Sequence, residues 1–304
     1  MLSANYSYQH FDWAHDPIEE EPFEHLGNLI SHLINPTITI GLSDYLNISY
    51  QQTIGVRTMD WMGGGDSKHH RDENSLSDFI NAIGNAYGDA RINLKYLITN
   101  TGMQAGSRLF LGVGLIIPSN NVLTENPFLE DQDGNALNEH RHFSLSDGCY
   151  KTNFEAQIYF KNNSKKIYIP SFYGLTANYI KPLRDSDYGY LPGDSYTGIV
   201  SILFPSKLKQ TWAPKGISLG LIYLQTEKAF WNNELAPNSE SKIFFPSIGI
   251  IWNHKDYGSF SLNIKYNNNT PFSESSLNNK VSMFELSVGY RKTLDYSIPW
   301  LSNY

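Results

Sequence analysis

Strict alternation of apolar and polar residues is the most regular feature of this chain. In the stretch SFSLNIKYN, residues 259–267, every second side chain is apolar and the others are polar. A period of two residues predicts a β-strand with one apolar face and one polar face. Six further segments show this period, two of them with small residues on the second face: 46–57, 90–97, 108–118, 152–160, 217–226 and 280–292.

Weaker alternation predicts five more strands, which makes twelve in all: 3–11, 36–42, 166–180, 194–205 and 242–253. The connections between the strands alternate between long and short. The long ones are 13–35, 62–88, 119–150, 181–193, 231–241 and 268–279, and the short ones are 43–45, 101–107, 161–165, 205–214 and 254–258. An even strand number with short turns at one end and long loops at the other is typical of outer-membrane proteins. We therefore predict an all-β fold, a transmembrane antiparallel up-and-down β-barrel with short periplasmic turns, long extracellular loops and both termini on the periplasmic side.

The composition agrees with a membrane barrel. Charged residues make up 17% of the chain and aromatic residues 14%, whereas soluble domains usually contain about 25% charged residues. The longest apolar run, LFLGVGLIIP at 109–118, has half the roughly 20 residues of a membrane helix. The mean hydropathy of −0.38 fits a barrel because half of its strand residues face inward. Trp61, Trp231 and Trp252, near predicted strand ends, are candidates for an interfacial aromatic girdle.

Charge and cysteine content exclude other classes of protein. The formal net charge of −7 argues against a nucleic-acid partner, and the single cysteine, Cys149, excludes an intrachain disulfide framework. We expect one domain, residues 1–304, with strands from about residue 3 to 294 and a C-terminal tail at 295–304. The opening MLSANYSYQHFDW is not a signal peptide, so we expect that a leader was removed or lies outside this reading frame.

Several short motifs carry a family resemblance. NAYGDARINLKYL and RLFLGVGLIIPSN combine Gly-Asp, an alternating strand, a short turn and a closing Gly-x-x-x-Pro-(Ser/Thr), here Gly88, Asp89, Gly114, Pro118 and Ser119. With GLSDYLNISY, PKGISLGLIYL and VSMFELSVGYR, these motifs resemble the phenol-degradation-pathway (MetA-type) outer-membrane transporter family over most of 36–294. The resemblance implies a barrel that passes small, often hydrophobic solutes. The C-terminus departs from the family pattern, since the chain continues through DYSIPWLSNY beyond its last predicted strand.

Charged residues on the polar strand faces predict the lining of a lumen. Mixed charge in a lumen can select solutes through its field and its hydrogen bonds. Alternatively, the ions pair with each other and fill a narrow interior. A basic stripe formed by Arg57, Arg91 and Lys95 is the candidate anion-attracting surface. The predicted lumen-lining residues are Arg57, Arg91, Lys95, Glu155, Lys265, Glu285 and Arg291.

Histidines concentrate in the first half of the chain. Eight of the nine fall at or in the first three predicted long loops, and only His254 maps to a short turn. Imidazole and carboxylate together suit zinc, copper or nickel, so His69, His70, His140 and His142 are candidate metal ligands at the external mouth. No fixed ligand spacing such as HExxH occurs, and polar loops that simply contain histidine explain the same pattern. No cofactor is predicted.

Two loop segments show helical spacing. SLSDFINAIGNAY at 75–87, with Ser75 and Asp78 as a capping pair, and FEHLGNLISHLI at 23–34 place apolar residues at i, i+3, i+4 and i+7. We predict helices that cover the barrel rim or gate its mouth.

The predicted function is an outer-membrane channel for passive or facilitated passage of a small solute, hydrophobic or anionic. Its partners are the lipid of the outer membrane and the solute, and it has no catalytic residues. One alternative is a barrel enzyme acting on lipid through His142 and Ser144, although two loop residues so close in sequence have no required geometry. The other is a secreted β-sandwich that binds sugar or protein, which would also alternate but has no reason to keep its long loops at one end.

Overall fold

Twelve long strands make up most of the computed structural model, which describes residues 1–15, 22–67, 71–101, 104–129, 141–164, 166–208, 210, 212–237, 239–268 and 280–295. In chain order they are β1 (Leu2–His15), β2 (His25–Gly41), β3 (Leu46–Trp61), β4 (Tyr87–Asn100), β5 (Gly106–Ile117), β6 (Lys151–Lys161), β7 (Phe172–Pro182), β8 (Ser195–Pro205), β9 (Gly216–Thr226), β10 (Ser241–His254), β11 (Gly258–Asn268) and β12 (Lys280–Lys292).

The strands close into a barrel. Each strand pairs antiparallel with its neighbour in sequence, and β1 also pairs with β12 from Leu2↔Lys292 to Ala14↔Lys280. Closure leaves no unpaired strand edge, which is the condition for a sheet to cross a membrane. The predicted twelve-stranded antiparallel barrel is thus confirmed. The described residues include no helix capable of spanning a membrane.

The outer surface of the barrel is an apolar band. Alternate strand residues expose large apolar side chains, for example Phe154, Ile158 and Phe160 on β6, which are 47–48% exposed. The residues between them are mostly half-buried or buried, because they face the interior. An apolar outer face suits contact with lipid, and a more polar inner face suits a lumen.

The helix predicted at 23–34 is wrong, because this segment belongs to β2. Ile34 pairs with Tyr6 of β1 and with Ile54 of β3. Two neighbouring strands satisfy the main-chain groups of β2 along nearly its full length, and this tertiary pairing overrides the helical spacing of the side chains. The predicted long loop at 13–35 is correspondingly shorter, since β1 ends at His15 and β2 begins at His25.

The helix predicted at 75–87 is also wrong. Here the chain forms turns, the two-residue strand Ala82–Ile83, and then the start of β4. The apolar residues that would have formed a buried helical face are exposed instead. Leu76 is 50% exposed and Ile80 is 71% exposed.

Connection lengths follow the predicted alternation, with both termini of the sheet at the end that carries the short turns. The strand predicted at 166–180 begins only at Phe172. Short strands occur in the long connections at Glu73–Asn74, Ala82–Ile83, Val122–Leu123, Tyr190–Leu191, Phe230–Trp231 and Glu234–Leu235. Trp231 is therefore not a girdle residue. It is 3% exposed and packs with Ala229 and Ala236 in a small core outside the barrel.

Candidate functional site: the lumen and its outer mouth

The interior has an apolar wall formed by β8, β9 and β10. Its register brings Ile199, Ile222 and Phe245 side by side, because Ile222 pairs with both of the others. The intervening positions, such as Val200 and Leu221, are 45–50% exposed on the outer surface, whereas Phe245 is 5% exposed. The inward apolar residues of this wall are Ile199, Leu203, Ile222, Leu224, Ile243 and Phe245.

Three aromatic rings extend this wall across β7 to β5. The Tyr159 ring stacks on Phe172 at a centroid distance of 5.1 Å and meets Phe110 edge-on at 6.1 Å. All three lie in the half of the barrel nearer the short turns. One side of the lumen is therefore suited to contact with an apolar body.

Charged pairs lie on the strands to either side of β7–β10, and together they are called the polar wall below. Lys95 of β4 bonds Glu155 of β6 at 3.2 Å, reaching across β5. Gly112 lies between them, and a Cβ on this residue would meet the Cβ of Glu155 at 3.4 Å. On the far side of the β1–β12 junction, Lys265 bonds Glu285 at 2.7 Å, and Gln9 donates to the same carboxylate at 3.2 Å.

A third charged group, which sequence reasoning missed, lies higher on this wall. Lys151, the first residue of β6, contacts the Asp147 carboxylate and lies 3.7 Å from that of Asp89. Asp89 also accepts from the Ser119 main-chain N–H at 3.3 Å. The family resemblance marked Asp89 and Ser119 only as motif residues, and no periodicity pointed to Lys151 or Asp147, because Asp147 belongs to a connection.

Four of the seven candidate lumen residues form ion pairs, and the other three are arginines. Lys95, Glu155, Lys265 and Glu285 form the two pairs described above. Arg91 lies within electrostatic range of Glu155 and Asp89. The basic stripe of Arg57, Arg91 and Lys95 therefore has acidic neighbours along its length and is not a surface of uncompensated positive charge.

Arg291 lies at the end of the lumen near the short turns. There it lines a cavity of about 610 Å³ together with small and amide side chains. Ser3, Asn5, Asn35, Thr37 and Gln51 are among these neighbours. Ile251, Phe260 and Tyr290 also line this cavity, whose volume is sufficient for a small solute.

Arg57 lies at the other end and holds a connection against the wall. Its Nη1 donates to the Ser144 carbonyl at 2.8 Å, and its Nε donates to Ser31 Oγ at 3.1 Å. The Arg57 main chain exchanges further hydrogen bonds with Ser75. Arg57 thus anchors two long connections, the one between β3 and β4 and the one between β5 and β6.

Two buried polar residues tie these connections together. Arg141, 0% exposed, donates to the carbonyls of Asn74, Ser77 and Ile83. Asn121, also 0% exposed, donates to the carbonyls of Ser75 and Asn85. Because each of these buried groups bonds carbonyls from separate parts of the connections, together they hold the connections in one arrangement at the mouth.

A second cavity, of about 300 Å³, lies at this outer mouth. Arg57 and Asp147 line it together with aromatic residues from three connections. The aromatic residues are Phe128, Phe143, Tyr190 and Trp231. The outer cavity thus repeats the combination of apolar surface and a few polar groups that is found in the lumen.

Glu73 is buried in the same structure. Its side chain is 7% exposed and lies within electrostatic range of the Arg71 and Arg141 guanidinium groups. Burial raises the pKa of Glu73 to about 7, against the opposing effect of the Arg71 and Arg141 guanidinium groups and the nearby His142 amide. Its charge consequently changes in the neutral pH range.

Of the four candidate metal ligands, His142 alone lies within the described residues. His69, His70 and His140 lie outside the described residues. His142 lines the outer cavity with its ring centroid 5.9 Å from that of Phe128. Among the described residues, no cluster of three or more His, Cys, Asp or Glu side chains could hold a metal ion. His10, His25 and His32, expected in or near loops, lie in β1 and β2.

The Ser144 hydroxyl is engaged with its own connection. It donates to the Ser146 carbonyl at 2.6 Å. This bond directs the hydroxyl hydrogen away from the role that a Ser-His catalytic pair requires.

No protein-family model matches the chain, and no curated protein matches its sequence. The fold is similar to the crystal structure of an outer membrane channel from Pseudomonas putida F1. That comparison covers 95% of this chain and 94% of the other, with a TM-score of 0.58 and 11% identity. At this identity it establishes the fold alone, which is that of an outer-membrane barrel.

Two other solved barrels are more distant. The CymD monoaromatic hydrocarbon channel has a TM-score of 0.41 at 7% identity and covers 97% of this chain and 89% of its own. The translocator domain of the autotransporter NalP from Neisseria meningitidis has a TM-score of 0.38 at 8% identity and covers 96% and 88%. TM-scores below 0.5 support no argument about this chain.

Proposed function

We propose that this protein is an outer-membrane channel for passive or facilitated passage of a small, uncharged solute with an apolar body. The observation that carries the proposal is the mixed lining of the lumen: Ile199, Ile222 and Phe245 face inward on adjacent strands, and the paired charges of Lys95 with Glu155 and Lys265 with Glu285 lie on the strands to either side. An apolar body can slide along one wall while its polar group exchanges hydrogen bonds with the other.

The outer end disfavours anions, so we favour the hydrophobic over the anionic solute. The long connections, 16–24, 62–86, 118–150, 183–194, 227–240 and 269–279, contain 22 Asp or Glu and 5 Lys or Arg. A mouth of this charge repels anions at the distances over which salt does not screen it. The family resemblance makes phenol-sized aromatic compounds the first solutes to test, and the dimensions of the outer cavity, about 300 Å³, support this choice.

The test begins with the full chain in a planar bilayer under a salt gradient. We expect stepwise conductance with a preference for cations. Stable insertion without any conductance would contradict an open channel, and a clear anion preference would contradict the assigned role of the outer charges.

The apolar wall is tested separately by solute uptake into vesicles. Ile222→Asn should slow entry of a neutral phenol by about tenfold, a change in barrier of about 1.4 kcal/mol. Ile222→Leu is the matched control, because it keeps the size and apolar character and should retain the wild-type rate. Equal uptake in wild type and Ile222→Asn, with ion conductance intact in both, would show that solute does not use this wall.

A further inference from the structure

The two ends of the barrel carry opposite charge. The short connections, 42–45, 101–105, 162–171, 206–215 and 255–257, contain six lysines and two aspartates. The lysines are Lys165, Lys166, Lys207, Lys209, Lys215 and Lys255, and the aspartates are Asp44 and Asp256. The long connections show the reverse excess, as described above. The end with the short turns therefore presents a basic rim on a protein that is acidic overall.

Two of these short turns are joined by stacked aromatic rings. The Trp212 ring, in the turn between β8 and β9, lies 4.7 Å from His254 and 5.9 Å from Tyr257, both stacked. His254 and Tyr257, at the turn between β10 and β11, are 4.6 Å apart. Trp212 is nevertheless 62% exposed and Tyr257 56% exposed. The three rings form a platform that is packed internally and open to its surroundings.

Three lysines belong to the same two turns as this platform. Lys207 and Lys255 are exposed, and the half-buried Lys215 donates to the Gln210 carbonyl at 3.2 Å. In the described part of the structure, none of these three lysines takes part in an ion pair. The only acidic residue in the two turns is Asp256, which is exposed beside Lys255. The platform therefore carries a net positive charge that is not paired among the described residues.

Further exposed aromatics continue the rim on other strands. Tyr45 and Tyr96 approach within 6.4 Å of each other, and the Lys166 ammonium lies 5.8 Å from the centre of the Tyr168 ring. Tyrosine and tryptophan prefer the interface between hydrocarbon and headgroups, and lysine extends its charged end into the headgroups while its stem stays in contact with apolar surface. The rim thus combines the two residue types suited to a lipid interface.

We propose that the platform of Trp212, His254 and Tyr257 with Lys207, Lys215 and Lys255 binds anionic phospholipid headgroups in the periplasmic leaflet. The rings lie at headgroup depth and the three ammonium groups contact the phosphate. This surface lies on the rim rather than in the lumen, so the inference is independent of which solute the channel carries.

The experiment is native mass spectrometry of the detergent-solubilised full chain with dioleoyl phosphatidylglycerol and dioleoyl phosphatidylcholine as probes. We expect wild type to bind the anionic lipid at least tenfold more tightly, since each lysine near an anionic surface contributes about fivefold. The variant K207Q/K215Q/K255Q should lose this preference. Raising salt from about 50 to about 500 mM should weaken only binding of the anionic lipid, because screening shortens the range of its attraction.

The matched control is R184Q/K228Q, which removes two exposed cations from the opposite end. It should retain the wild-type preference. Heat-dependent migration on gels verifies that each variant is folded, and the salt series on wild type tests the proposal even if the triple variant does not fold. Equal binding of both lipids by wild type, or an unchanged preference in the folded triple variant, would overturn the proposal.

Discussion

The apolar wall and the polar wall fill the barrel interior with different kinds of side-chain contact. The apolar wall of β8–β10 packs Ile199, Ile222 and Phe245 against each other across adjacent strands. The polar wall places charges in the interior but pairs them, as in Lys95 with Glu155. The comparison teaches that a lumen can be rich in charged residues without carrying much net charge. Polarity of a strand face therefore does not by itself predict ion selectivity.

We expect the largest effect from a substitution that removes one charge of a buried pair in the polar wall. In Lys265→Ala, the Glu285 carboxylate, 9% exposed, loses the partner that it contacts at 2.7 Å. Leaving a buried charge unpaired costs about 3–5 kcal/mol, and we expect the free energy of unfolding in urea to fall by about that amount. The double variant Lys265→Met with Glu285→Leu should be much closer to wild type, because it removes both charges.

A surface pair provides the control for this change. Lys228 and Glu240 are 3.7 Å apart and about half exposed, so Lys228→Ala should cost less than about 1 kcal/mol. If Lys265→Ala were equally mild, the paired charges of the polar wall would be solvated rather than structural, and the contrast between the walls would fail.

A smaller effect is expected where the polar wall holds the outer connections. Arg57→Ala removes the hydrogen bonds to the Ser144 carbonyl and Ser31 Oγ. Freed from this anchor, the connection should leave the mouth more often, and we expect single-channel conductance to rise by about twofold. Arg57→Lys retains the charge but not the two-directional donor geometry and should resemble the alanine variant. Unchanged conductance in Arg57→Ala would place the narrowest point elsewhere.

The smallest effect concerns pH and the buried Glu73. Because its pKa is raised from 4.5 to about 7, folding favours the protonated form. The outer structure should thus be most stable below about pH 4.5 and lose stability as the pH rises through about 7. In hydrogen exchange, protection of residues 73–83, corrected for the intrinsic rate, should fall a few-fold between pH 5 and pH 8.

The variant Glu73→Gln removes the titrating group without changing its size. Its protection should be independent of pH and should match wild type at the acidic end of the range. A pH dependence that persists in Glu73→Gln would assign the effect to another group.

The sequence by itself determined most of the barrel. Its period of two marked both faces of the strands, and the alternating lengths of the connections placed the long loops at one end, because each choice depends on residues close together in the chain. The same local information failed at 23–34, where side chains spaced as in a helix lie in β2. There the conformation was determined by β1 and β3, which supply hydrogen-bond partners for the main chain of β2.

Only the tertiary structure decided how the charges and the outer connections are used. Alternation marked Lys95 and Glu155 as inward, but their contact across Gly112 depends on the registers of three strands. Likewise, Trp231 was expected at the lipid interface and lies instead in a small core of the outer connections. The physical reason is that periodicity reports which side of a strand a residue occupies, whereas pairing and burial depend on which other strand or loop meets it there.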